Sequence, residues 1–235
     1  MNRGSGRVPF VEKLPVEKLL VPDMRTMRDA SVHTPSADLL ETIYLCQRRQ
    51  DWYRDYALDA GAEPLDLVVS ESLSTDPVVA GPRLREFLDL EQRRVSSGQE
   101  ARRGLVDRIE GLGVLVMVSG IVGGDTHPKL DPQEFRGFTL ADDVASLVFV
   151  NGADTQAAQV FTVVHELAHV ALGHSALSDV SLGGREAKRE ERWCNAVAAE
   201  VLVLLEVFQG GGSHGLPGRI PSSWRQGALD LRGPG

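Results

Sequence analysis

Apolar positions along the chain fall into blocks with two different periods. From Leu39 through Leu40, Ile43, Tyr44, Trp52, Tyr53 and Tyr56 they recur at helical spacing, which predicts a helix between a start at Thr34-Pro35-Ser36 and a stop at Gly61. Pro35 suits the first helical position of such a segment. Thr75-Asp76-Pro77 opens a second helical segment through Leu84, Phe87, Leu88 and Leu90, which Gly81-Pro82 is expected to break or kink. After a linker at Ser96-Ser97-Gly98, a third helix is expected from about Gln99 to Glu110. The pattern then turns to β-branched runs. Val114-Leu115-Val116-Met117-Val118 reads as a buried strand, Phe135 to Leu140 alternates like a strand, and Ser146 to Val150 is a third. Asn151-Gly152-Ala153-Asp154 makes a turn, with Asp154 as N-cap of a helix that starts near Thr155 and stops at Gly173. A last apolar helix runs from about Glu186 through Trp193, Val197, Val201 and Leu205. Helices, a small three-stranded sheet and two more helices make an α+β fold. The domain reading is an extended or disordered arm (1–33), a helical N-terminal segment (34–95), a compact domain (98–208) and a disordered tail (209–235). The aromatic stripe Trp52, Tyr53 and Tyr56 could mark a partner surface, though such stripes are more often core.

One of these helices carries His165-Glu166-Leu167-Ala168-His169. Residues four apart project from one helical face, so the two imidazoles can share one Zn²⁺ at about 2.0–2.1 Å each. Glu166, about 100° around the helix, is placed to take the proton of a water whose pKa the metal lowers to about 7. H-E-x-x-H also arises by chance on solvated helices. Here Val160, Phe161, Val163, Val164, Leu167, Val170 and Leu172 make the helix a buried one. Buried polar groups need partners, and a metal supplies them.

A catalytic zinc takes a third protein ligand. The pattern H-E-x-x-H-x-x-G-x-x-H fails, because the chain has Leu172 and Ser175 where Gly and His are required. His174, at the helix end, has a solvated or capping role as its commoner reading. A glutamate from the last helix is the other source, with Glu190, Glu191 and Glu200 as candidates. Glu191 is favoured because Asn195 lies four residues on, where it can accept a hydrogen bond from the far nitrogen of a ligand histidine. Glu190 begins a different face and Glu200 is more than two turns away. A group to stabilise the oxyanion is also expected, and His127 and Arg136 are the guesses, with structural roles commoner for both.

Composition narrows the partners. A formal charge of −8 over 235 residues argues against a broad nucleic-acid footprint. Arg93, Arg94, Arg102, Arg103 and Arg108 are interleaved with Glu91, Glu100, Asp107 and Glu110, the pattern of a solvated helix face. The 2 cysteines, Cys46 and Cys194, form no CxxC, which fits a reducing cytoplasm. Gly111–Gly124, the longest uncharged run, is too short for a bilayer, which needs about 20 apolar residues. No secretory h-region follows Met1–Arg7.

His165-Glu166-Leu167-Ala168-His169, followed by Glu191-Arg192-Trp193-Cys194-Asn195-Ala196-Val197-Ala198-Ala199-Glu200, resembles the two motifs of the ImmA/IrrE family of zinc metallopeptidases. The family's second motif is similar to E-x-x-A-N-x-F-A-A-E-L-L-M-P. Cys194 stands for its Ala, Val197 for its Phe and Leu204 for its Pro. The stretch Ser119–His127 and Phe135–Phe138 resembles family members too, so the likeness covers about 105–206. It implies a gluzincin-like peptidase domain and a cytoplasmic enzyme that cleaves or inactivates a helix-turn-helix repressor in a stress or mobile-element response. Some members carry a helix-turn-helix domain themselves. Nothing in 1–35 reads as one, so such a repressor would be another chain. The expected site is therefore His165, His169 and Glu191 on Zn²⁺, Glu166 as general base and Asn195 behind a ligand. The alternative is a regulatory module that keeps zinc but sequesters a protein partner through the surface around Trp52, Tyr53 and Tyr56. A pure binder, however, has no need of Glu166.

Overall fold

A computed structural model describes residues 35–90, 98–123, 129–177 and 185–209. The expected arm 1–33, the linker residues 96–97 and the tail beyond Gln209 lie outside the described residues. Among the described residues there are five helices, α1 (Ala37–Asp59), α2 (Pro77–Phe87), α3 (Gly98–Gly111), α4 (Gln156–Leu172) and α5 (Arg185–Gln209). The strands are β1 (Leu115–Ser119), β2 (Gly137–Leu140), β3 (Leu147–Asn151) and β4 (Ala176–Leu177), in the order β1-β3-β2-β4. β1 runs parallel to β3, while β2 is antiparallel to both β3 and β4. The fold is α+β, with a fourth strand beyond the three expected. β4 has only two residues, too few to carry a period. It exists because the chain leaving α4 is turned back along β2.

Strand alternation divides the interior in two. Val148 and Val150 of β3 face α4 and belong to one core cluster with Val163, Val164 and Leu167 of that helix, to which α2, α3 and α5 also contribute. Leu147 and Phe149 face the opposite way, toward Leu39, Ile43 and Cys46 of α1 and the Phe135–Phe138 pair. The sheet is thus covered on both faces, which is why β3 reads as an unbroken apolar run. β1, expected to be buried, is only half-buried because β3 is its sole neighbour in the sheet. The helices drawn from 34–95 contribute to both cores.

Local chemistry accounts for the helix ends. Ser36 caps α1, its Oγ accepting from the Leu39 N–H at 3.1 Å, so Pro35 precedes the cap instead of opening the first turn. The Ser36 N–H and Oγ–H in turn donate to Glu134 at 2.7 and 2.8 Å, tying α1 to the segment before β2. Thr155 caps α4, one residue later than expected, and Asp154 instead accepts from the Thr155 N–H at 2.7 Å. Gly173 ends α4 in the left-handed region at φ 73°.

Two expectations fail for tertiary reasons. α2 continues through Gly81-Pro82 without a break. A Cβ on Gly81 would lie 2.5 Å from Glu200 Cβ, so glycine allows α2 and α5 to touch, and the burial of Ala80 and Leu84 outweighs the helix penalty of Pro82. The α1 aromatics are not core: Trp52 is 71% and Tyr56 61% exposed, stacked on each other at 6.1 Å. Their face of α1 points away from the sheet. Among the described residues no helix is long and apolar enough to cross a membrane.

Candidate metal centre

Buried apolar neighbours on all sides fix α4 between the sheet and α5, and they bring its one polar stripe to a single point. His165 is 3% exposed, and Glu166 and His169 are fully buried. His165 Nε2 and His169 Nε2 lie 3.2 Å apart. The Glu191 carboxylate of α5 closes the triangle, with Oε2 at 3.4 Å from His165 Nε2 and Oε1 at 3.3 Å from His169 Nε2. Ligands held at about 2.0–2.1 Å around a tetrahedral ion stand about 3.3–3.4 Å apart. The three edges therefore match the face of a zinc tetrahedron, and two imidazoles with one carboxylate are a donor set that zinc accepts. Among the described residues these three form the group of metal-ligating side chains that converges in this way.

The neighbouring carboxylates sort into distinct positions. Glu190 and Glu191 are about 100° apart on α5 and straddle one ring. Glu191 faces His169 Nε2, whereas Glu190 Oε1 lies 3.0 Å from His169 Nδ1. An Nδ1–H donated to Glu190 leaves the Nε2 lone pair directed at the triangle. Glu190 thus occupies the place that sequence reasoning reserved for Asn195. Asn195 makes no hydrogen bond to either ring among the described residues, and His165 Nδ1 is buried without a partner there. Glu200 sits at the α2–α5 crossing, away from the rings.

Burial disfavours charge on His169, yet its contacts with Cys194, Glu190 and Glu191 outweigh that and hold the imidazole well above its usual pKa. Burial would likewise raise both carboxyls, but the histidine hydrogen bonds prevail and hold Glu190 and Glu191 below the usual carboxylate range. Burial pushes the Cys194 thiol up to about 11.

Glu166 is turned toward the sheet. The Thr139 hydroxyl of β2 reaches its Oε2 at 2.8 Å and its carbonyl oxygen at 2.9 Å. Beside it, a Cβ on Gly137 would lie 2.9 Å from Glu166 Oε1, 2.6 Å from Thr162 Cγ2 and 2.8 Å from the Phe149 carbonyl oxygen. A Thr in a strand and a Gly at its start carry no chemical signature, so the sequence by itself does not mark Thr139 or Gly137. Of the two guessed oxyanion groups, His127 lies outside the described residues. Arg136 pairs with Asp154, Nε to Oδ2 at 3.6 Å. His174 is half-exposed, as expected for a helix end, and its Nδ1 lies 3.0 Å from Glu190 Oε2.

The family model described as IrrE N-terminal-like domain, Peptidase_M78, matches residues 109–210. No curated protein and no solved structure matches the chain significantly.

Proposed function

We propose, from the premise that residues 109–210 form a domain of the Peptidase_M78 (ImmA/IrrE) family, that this protein is a zinc-dependent metalloendopeptidase acting on a protein substrate. The observation that carries the reading is the His165–His169–Glu191 triangle, with edges of zinc size, next to a buried Glu166 on the same helix. His165, His169 and Glu191 would hold the ion. Bound there, zinc supplies a Lewis acid for the scissile carbonyl and a lower pKa for water. Glu166 then acts as general base, taking the proton of the attacking water and passing it to the leaving amine. Thr139 holds one oxygen of that carboxylate in place, and the Val163, Val164 and Leu167 packing keeps bulk water from the inner side of the helix. Asn195, next to Cys194 on α5, stays a lesser candidate for support of the ligands.

The substrate we favour is a separately encoded helix-turn-helix repressor, met in the cytoplasm. The net charge of −8 supports a protein target over nucleic acid, and two free cysteines fit a reducing compartment. The deciding experiment incubates zinc-loaded protein with a helix-turn-helix repressor from the same genome, taking first any encoded next to it. Wild type is expected to cleave it and Glu166→Gln is not; equal cleavage by both would sink the mechanism. The exposed Trp52–Tyr56 pair favours a second reading, a regulatory module that keeps zinc but sequesters its partner. In that case Glu166→Gln retains the biological effect, and Trp52→Ala with Tyr56→Ala abolishes it.

A further inference from the structure

Glu190 stands between two imidazoles with both oxygens engaged, Oε1 at 3.0 Å from His169 Nδ1 and Oε2 at 3.0 Å from His174 Nδ1. The three side chains form a line from solvent to the metal face: His174 is 51% exposed, Glu190 16% and His169 1%. The backbone builds this line. The left-handed turn at Gly173 folds the chain back, and the His174 N–H donates to the His169 carbonyl at 3.1 Å, so His174 lies over the last turn of α4. A Cβ on Gly173 would also strike Val69 Cγ2 at 2.6 Å, so glycine is required there for both conformation and space.

We infer that Glu190 is a positioning residue for the metal centre, holding His169 by its Nδ1, and that His174 fixes Glu190 from the outside. The inference rests on the zinc reading of the site. An imidazole bound only through Nε2 can swing about its χ2 axis. A carboxylate on Nδ1 fixes the ring plane and the tautomer, and makes the ring a stronger donor. Glu190 by itself would have a freely turning carboxylate, because a single hydrogen bond leaves its last torsion broad. The second imidazole removes that freedom. Neither residue needs to touch the ion, and Glu191, one residue on, remains the ligand.

The test measures zinc affinity of the full chain by competition with a chromogenic chelator, and the Co²⁺-substituted visible spectrum. Wild type is compared with Glu190→Ala, Glu190→Gln, His174→Ala, Glu191→Ala and the exposed control Arg192→Ala. Glu190→Ala is expected to bind zinc about 10–100-fold more weakly than wild type, with one ion still bound at saturation and a shifted Co²⁺ spectrum. Glu190→Gln keeps an acceptor of the same shape and loses less, His174→Ala loses less again, and Arg192→Ala stays at the wild-type value. Melting of the metal-free variants establishes that each is folded. A folded Glu190→Ala that binds zinc like wild type, with an unshifted spectrum, overturns the inference. Should Glu190→Ala fail to fold, wild-type affinity in both Glu190→Gln and His174→Ala overturns it as well. If wild type binds zinc and Glu191→Ala does not, only the positioning role is at stake. A wild type that takes up no zinc overturns the metal reading and this inference with it.

Discussion

Thr139 holds Glu166 at two points, its hydroxyl lying 2.8 Å from the carboxylate Oε2 and 2.9 Å from the carbonyl oxygen of the same residue. A single β2 side chain thereby sets both the end of the Glu166 side chain and its distance from the sheet. Thr139→Val preserves shape and removes the hydroxyl, leaving a fully buried carboxylate oxygen with one partner fewer. The expected cost is about 1–3 kcal/mol in urea unfolding, with Thr139→Ser recovering most of it. A Val variant as stable as wild type would show that the hydroxyl does not hold Glu166.

Gly137 guards the same carboxylate by absence. The nearest obstacles to a Cβ there include the Phe149 carbonyl oxygen at 2.8 Å, which belongs to a paired strand and cannot move aside cheaply. Gly137→Ala is expected to destabilise by about 1–3 kcal/mol, as overpacking does. It should also reduce peptide cleavage more than it reduces zinc affinity, because it presses on Glu166 and not on a ligand. Chemical denaturation and a chelator titration separate the two effects.

Zinc removal is expected to lower the melting temperature. An ion at 100 times its Kd stabilises a folded protein by about 2.7 kcal/mol. Glu166→Gln should keep that increment and lose only cleavage, whereas His165→Ala or Glu191→Ala should lose the increment. Scanning calorimetry with zinc and with chelator reads this directly, and an unchanged increment in Glu191→Ala would remove that residue from the ligand set.

The metal-free protein has its own pH signature. His169 is raised above its ordinary 6.5, so the stability from its charged form is complete below 6.5 and is lost as pH rises through the higher folded value. Glu190 and Glu191 are lowered from their ordinary 4.5, so their share is complete above 4.5 and is lost as pH falls through their lower folded values. Chelator-treated protein should therefore melt highest between those two ordinary values, with a fall toward alkaline pH that His169→Ala lacks. Superimposable pH profiles for the two proteins would contradict the arrangement.

Trp52 and Tyr56 stack on each other outside both cores, so Trp52→Ala should change stability by no more than about 0.5 kcal/mol. A larger loss in urea unfolding would mean that the pair braces α1 after all.

What the amino-acid order determined by itself is whatever depends on spacing along one element. His165, Glu166 and His169 are legible because four residues on a helix return to the same face, and the apolar runs around them declare that face buried. The α+β order and the stop at Gly173 come from the same kind of local reading, and spacing along α5 proposes Glu191 over the downstream third-histidine pattern. What only the tertiary structure decided depends on which elements touch. Glu190 looked misplaced on its own helix, yet α5 crosses α4 so that consecutive carboxylates reach opposite nitrogens of one imidazole. Thr139 and Gly137 gain their meaning from the approach of β2 to Glu166, and Gly81-Pro82 stays helical because α5 packs against it. Trp52 and Tyr56 share the helical spacing of the buried α1 residues, and the face that the sheet covers left them outside. Periodicity states that a helix has faces, while packing chooses which face meets which partner.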